Sequence, residues 1–151
     1  MISLGGILKS WKPRDYAAVV AALATQSRIE WALHRRPLPE FAASLGVPLS
    51  TDTGGAVTEP FTDRLTGDER SALRAVRRVL RHWPWEDTCL RRALAVGHAL
   101  RGRGPALRVG VTKTNGVVKA HAWLEIDGRT LDPDAPATYV SLVEPRRGGV
   151  A

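Results

Sequence analysis

The chain has 151 residues, 44% hydrophobic and 25% charged, enough for one domain around a single buried core. No run approaches the roughly 20 apolar residues that span a bilayer, and the N-terminus carries no secretory signal, so a cytoplasmic protein without a membrane span is expected. The net charge of +7 lies mostly on arginines between Arg70 and Arg103 and at Arg146-Arg147, and it suits nucleic acid, anionic membranes or acidic peptides. No helix-turn-helix, zinc finger or aromatic RNA-binding motif accompanies that charge, so no nucleic-acid partner is expected. One cysteine cannot form an internal disulfide, and one cysteine with four scattered histidines has no zinc spacing; neither a metal nor a cofactor is expected.

In chain order, the composition of Asp15 to Leu33 predicts a helix, with Tyr16, Val19, Val20 and Leu23 as its apolar face and Pro37 beyond its end. A short helix is expected over Pro39 to Leu45, closed by Gly46. Ser50 to Pro60, rich in Thr, Gly and Pro, reads as a loop. Thr66 with Glu69 three residues on is a capping box, opening a helix with Leu73, Val76 and Leu80 as its stripe and an end before Pro84. Asp87 or Thr88 caps the next helix, which carries Leu90, Ala93, Leu94, Gly97 and Leu100 on one face. Arg101 and a left-handed Gly102 are expected to close it.

After Pro105 the period becomes two. Leu107, Val109 and Val111 alternate with Arg108, Gly110 and Thr112, which predicts a half-buried strand. Asn115-Gly116 predicts a tight hairpin into a strand over Val117 to Ile126, and Asp127-Gly128 a second hairpin into Arg129 to Asp132. The fold class is therefore α+β. Residues 1–60 form an N-terminal helical segment and linker, residues 61–145 a core of helices on an antiparallel meander, and residues 146–151 a basic tail.

A lone cysteine is ordinarily a small buried hydrophobe. Cys89, however, falls in the first turn of its helix. There the unpaired N–H groups and the positive end of the helix dipole favour a thiolate, and the same N–H groups can receive an oxyanion. Trp83 or Trp85 could add an indole N–H to that oxyanion site. A partnering base must come from elsewhere. His34 lies among Arg35 and Arg36, a setting for a solvated residue, and His82 borders the Trp83-Pro84-Trp85 loop. His98 is nine residues along the helix from Cys89, about 13 Å by rise alone, too far for proton exchange. His121, on the second strand, remains.

With a two-residue loop at Asp127-Gly128, Ile126 pairs with Arg129, which puts Asp134 opposite His121 and Asp132 diagonal to it on the same face. Either carboxylate could orient the imidazole; Asp132 is preferred, because Pro133 interrupts the ladder before Asp134. The other reading of both is as turn and strand-end residues in a Leu-Asp-Pro-Asp-Ala-Pro corner.

The string Asp87-Thr88-Cys89-Leu90-Arg91-Arg92-Ala93-Leu94-Ala95, the glycines Gly102 and Gly104, the strand Leu107 to Val111, and His121-Ala122-Trp123-Leu124-Glu125-Ile126-Asp127-Gly128 together resemble the lasso-peptide leader peptidases. These are transglutaminase-like cysteine proteases. Arg36-Pro37-Leu38-Pro39 and Leu45-Gly46-Val47-Pro48-Leu49 extend the resemblance over roughly residues 30–140.

The resemblance implies a transglutaminase-like, papain-like core with Cys89 as nucleophile, His121 as general base and acid, and Asp132 as orienter. It implies removal of the leader from a ribosomally made lasso-peptide precursor. The core peptide can then be cyclised. The lack of an evident leader-binding segment resembles the split type, which implies a separate leader-recognition protein as partner and the lasso cyclase as a further one. Two other functions fit the same residues: transglutaminase-like acyl transfer to an amine, and a non-catalytic basic binding module with a structural cysteine.

Overall fold

The computed structural model describes residues 12–50, 64–131 and 140–141. The expected loop over 51–60 and the basic tail lie outside the described residues. Among the described residues the order is α1 (Pro13–Leu33), α2 (Leu38–Ser44), α3 (Gly67–Arg81), α4 (Cys89–Ala99), a 3₁₀ turn (Arg101–Arg103), β1 (Ala106–Thr114), β2 (Val117–Ile126), β3 (Arg129–Thr130) and β4 (Val140–Ser141). The strands form one antiparallel sheet in the order β3-β2-β1-β4. Helices and antiparallel strands follow each other as blocks, and the fold is α+β, as expected.

Local chemistry sets the ends of the elements. The Thr66 hydroxyl accepts the Glu69 N–H at 3.2 Å and the Glu69 carboxylate accepts the Thr66 N–H at 2.7 Å, completing the predicted capping box of α3. Gly46, with φ +75°, turns the chain out of α2. Both hairpins have positive φ at both turn residues, 52° and 80° at Asn115-Gly116 and 49° and 72° at Asp127-Gly128. That geometry matches the strand twist and gives β2 and β3 the predicted register, with Ile126 opposite Arg129.

Two expectations change. The left-handed residue that closes the α4 region is Gly104, not Gly102, because the chain winds through Arg101–Arg103 as an extra 3₁₀ turn before it reverses. On α1, Val19 packs half-buried against the core as expected, but Tyr16, Val20 and Leu23 are exposed, and the buried face is Ala22, Gln26, Ile29 and Ala32. Small side chains at Ala22 and Ala32 let α1 lie close to its neighbours, which bulkier Tyr16 and Leu23 would prevent.

One core joins all these layers. Ile29 and Ala32 of α1, Phe41 and Ala42 of α2, Val76 and Val79 of α3, Leu94 of α4, and Leu107 and Leu124 of the sheet are buried in a single cluster. Among the described glycines, the closest approach is at Gly97 on α4. A Cβ there would stand 2.7 Å and 2.8 Å from the two Val47 methyls and 3.0 Å from Leu124 Cδ2. Only glycine allows α4 to approach β2 and the 47–49 segment so closely.

The third and fourth helices are tied to distant parts of the chain by ion pairs. Arg103 reaches back to Glu69 with contacts of 2.7 and 2.8 Å, joining the end of the α4 region to the start of α3. Asp15 on α1 accepts the Ser71 hydroxyl and the Lys12 N–H, and faces Arg74 at 3.7 Å.

Candidate active site

Cys89 is the first residue of α4, and the preceding Thr88 caps the helix by accepting the Arg91 N–H at 3.4 Å. Thr88, not Asp87, is therefore the cap; Asp87 instead binds Arg92 at 2.5 Å. As the N1 residue, Cys89 has a backbone N–H with no acceptor within its own helix. The thiol residue is half-buried and is the chain's one cysteine.

Cys89 borders a cavity of about 690 Å³. Leu73, Arg77, Leu80 and Arg81 form its α3 wall, spaced by four, three and one residues as one helical face requires. On α4, Arg92, Ala93 and Val96 continue the wall from Cys89. The far side is β2, where His121, Ala122, Trp123 and Leu124 all border the cavity, with Leu131 beyond them.

The structure thus brings Cys89 and His121 to one cavity. His121 marks the point where β2 passes from exposed to buried: residues 117–120 are exposed and residues 122–126 are buried. Its ring stacks on Trp123 at 6.0 Å between centroids and 18° between planes. On the same strand face, Glu125 is buried against Arg108 at 2.8 Å and accepts the Trp123 indole N–H at 3.3 Å. These contacts hold Trp123, and through it the ring beside it. Ala122 and Leu124 face the other way, into the core beneath α4. Asp132 and Asp134 lie outside the described residues.

The other three histidines have structural settings, and none borders the cavity. His34 Nδ1 pairs with the Glu30 carbonyl at 2.9 Å on the surface. His82 caps the C-terminus of α3 and is exposed. His98 Nδ1 pairs with the Leu45 carbonyl at 2.9 Å, joining α4 to the end of α2. Trp83 donates its indole N–H to Glu30 at 3.2 Å and so is committed to structure. Trp85 is exposed and leans on Trp83 with centroids 5.6 Å apart. Neither indole borders the cavity.

Sequence reasoning missed Glu30. Its carboxylate gathers Arg91 Nε at 2.6 Å, Arg91 Nη2 at 3.0 Å, Gln26 Nε2 at 3.1 Å and the Trp83 indole, tying α1 to the first turn of α4. Glu30 lies 61 residues before Arg91, and nothing in the local pattern signals the pairing. Cys89 and Asp87 also share the cavity with Arg77, Arg81 and Arg92, so its described walls carry three arginines against one aspartate.

A sequence model of the transglutaminase-like superfamily matches residues 18–144, well over half of the chain. No curated protein and no solved structure matches it.

Proposed function

From the premise that the chain belongs to the transglutaminase-like superfamily, we propose that it is a cysteine peptidase that removes the leader from a ribosomally synthesised lasso-peptide precursor. The superfamily includes cysteine peptidases and acyltransferases, and its domains typically build catalysis on a cysteine. The observation that carries the reading is the meeting of Cys89, at the tip of α4, with His121 of β2 on one cavity. The leader-peptidase motifs around those two residues supply the substrate.

In this reading the Cys89 sulfur attacks the carbonyl carbon at the leader-core junction. The carbonyl π pair moves onto oxygen, where the first-turn N–H of Cys89 receives it. Protonated His121 gives its proton to the leaving amine as the C–N bond breaks, leaving the leader as a thioester on Cys89. Water then attacks that thioester, His121 takes its proton, and the thiolate departs. Asp132 orients the imidazole through both steps. A separate leader-binding protein delivers the precursor, and the lasso cyclase takes the freed core.

Incubation with the precursor peptide, with and without the leader-binding protein, tests the proposal by mass spectrometry of the products. Cleavage at the leader-core junction that vanishes in Cys89→Ala supports it. Incorporation of a labelled amine into a glutamine donor, without hydrolysis, would instead assign acyl transfer. Full cleavage by Cys89→Ala would remove the thiol mechanism.

A further inference from the structure

Two arginines on the cavity wall have no counter-ion among the described residues. Arg77 and Arg81 lie one helical turn apart on α3, and both border the cavity shared by Cys89 and His121. Among the described residues neither guanidinium forms an ion pair or a hydrogen bond. On the same two helices Arg74 faces Asp15 at 3.7 Å, Arg91 holds Glu30 at 2.6 Å and Arg92 holds Asp87 at 2.5 Å. Like charges at i and i+4 repel each other, so the pair is mildly unfavourable to α3 itself.

Both arginines are exposed residues that border the cavity together with Leu73, Leu80 and Val96. A cleft lined by charge of one sign concentrates the positive field. Asp87, the one described carboxylate on the cavity, is already held by Arg92. The complement is a ligand carboxylate, which a guanidinium grips with two parallel hydrogen bonds.

We infer that Arg77 and Arg81 form an acid-accepting subsite of the cleft, which selects peptides carrying an aspartate or glutamate side chain close to the bond offered to Cys89. This inference rests on the peptidase reading for cleavage, whereas peptide binding tests it independently.

The experiment uses the full chain and a set of synthetic peptides spanning the leader-core junction, with Glu, Gln or Lys placed at each position in turn. Binding is measured by fluorescence anisotropy on the Cys89→Ala protein, and cleavage on the wild type. Glu at one position should bind about tenfold or more tightly than Gln there, as expected when a charge-assisted contact replaces a neutral one. In Arg77→Gln/Arg81→Gln the Glu and Gln peptides should come within about twofold of each other, since both donors are gone. In Arg77→Glu/Arg81→Glu the preference should invert toward Lys, a gain that an unfolded protein cannot show. No Glu preference at any position, or a preference that survives in both double variants, overturns the subsite. If the Glu preference and its inversion are seen in binding but no peptide is cut, the subsite stands and the peptidase reading falls. If peptides are cut without regard to charge, the peptidase reading stands and the subsite falls.

Discussion

Arg91 and Glu30 form a two-pronged ion pair across the α1–α4 interface, with Nε–Oε1 at 2.6 Å and Nη2–Oε2 at 3.0 Å. Their side chains are only 17% and 12% exposed, and Arg91 stands two residues beyond Cys89. The pair thus anchors the turn that presents the thiol. Removing one partner strands the other in a half-buried site, a loss of about 3 kcal/mol when a well-shielded pair is broken. Glu30→Ala should lower stability by about that amount in urea unfolding. Arg91→Lys keeps the charge but not the fork, and should lose cleavage rate out of proportion to its smaller loss of stability. Wild-type rate in Arg91→Lys would show that the fork does not position the helix tip.

A methyl group at residue 97 has no room. Gly97→Ala should cost about 1–3 kcal/mol from overpacking against Val47 and Leu124. Val47→Ala removes the two nearest methyls, so the double variant should recover part of the loss beyond additivity. Strict additivity of the two changes in urea unfolding would contradict the contact.

Acid sensitivity follows from Glu69. The Arg103 guanidinium, and then the Thr66 N–H, hold its carboxyl at about 2, below its ordinary 4.5. A folded-state value below the unfolded one means the ionised form is the stabilising one. Its contribution is fully present above about 4.5 and is lost as the pH falls toward 2. Glu69→Gln should therefore lower Tm at neutral pH and flatten the fall of Tm across that acidic window. Asp15, lowered by the Ser71 hydroxyl and the Lys12 N–H, acts in the same direction, so some acid sensitivity should remain. An unchanged profile in Glu69→Gln would rule out the Arg103 contact as its source.

The thiol and the imidazole can be tested for proximity without a substrate. 1,3-Dibromoacetone, which bridges a thiol and a nearby nucleophile, should link Cys89 to His121, read as one cross-linked peptide pair by mass spectrometry. A monoalkylated Cys89 with no link would separate the two residues. In cleavage assays His121→Ala should lose about a thousandfold or more in kcat, as removal of a catalytic base does. Asp132→Asn and Asp134→Asn then decide the orienter: the true one should fall by about 10³–10⁴, the other by little.

Much of this was legible because it is local. The Thr66–Glu69 box, the Thr88 cap, Gly46 and the two hairpin dipeptides each act within four residues, and the β2–β3 register follows from the turn alone. The α1 face was legible only at Val19, because an apolar stripe of Tyr16, Val19, Val20 and Leu23 outweighs Ala22 and Gln26 on any hydrophobicity count. Which side of a helix is buried depends on what arrives to cover it. Arg108 shows the same limit: alternation assigns it to the polar side, yet Glu125 lets it be buried at 8% exposure.

By itself, then, the amino-acid order determined the elements, their turns and the position of a lone sulfur at the first turn of α4, since backbone sterics and capping hydrogen bonds act between near neighbours. Tertiary structure decided that His121 of β2 borders the same cavity as that sulfur, that Glu30 holds the helix beneath it, and that Arg77 and Arg81 border it with no counter-ion among the described residues. Those pairings join residues dozens of positions apart. They arise from packing one core, whose partners no short stretch of sequence can specify.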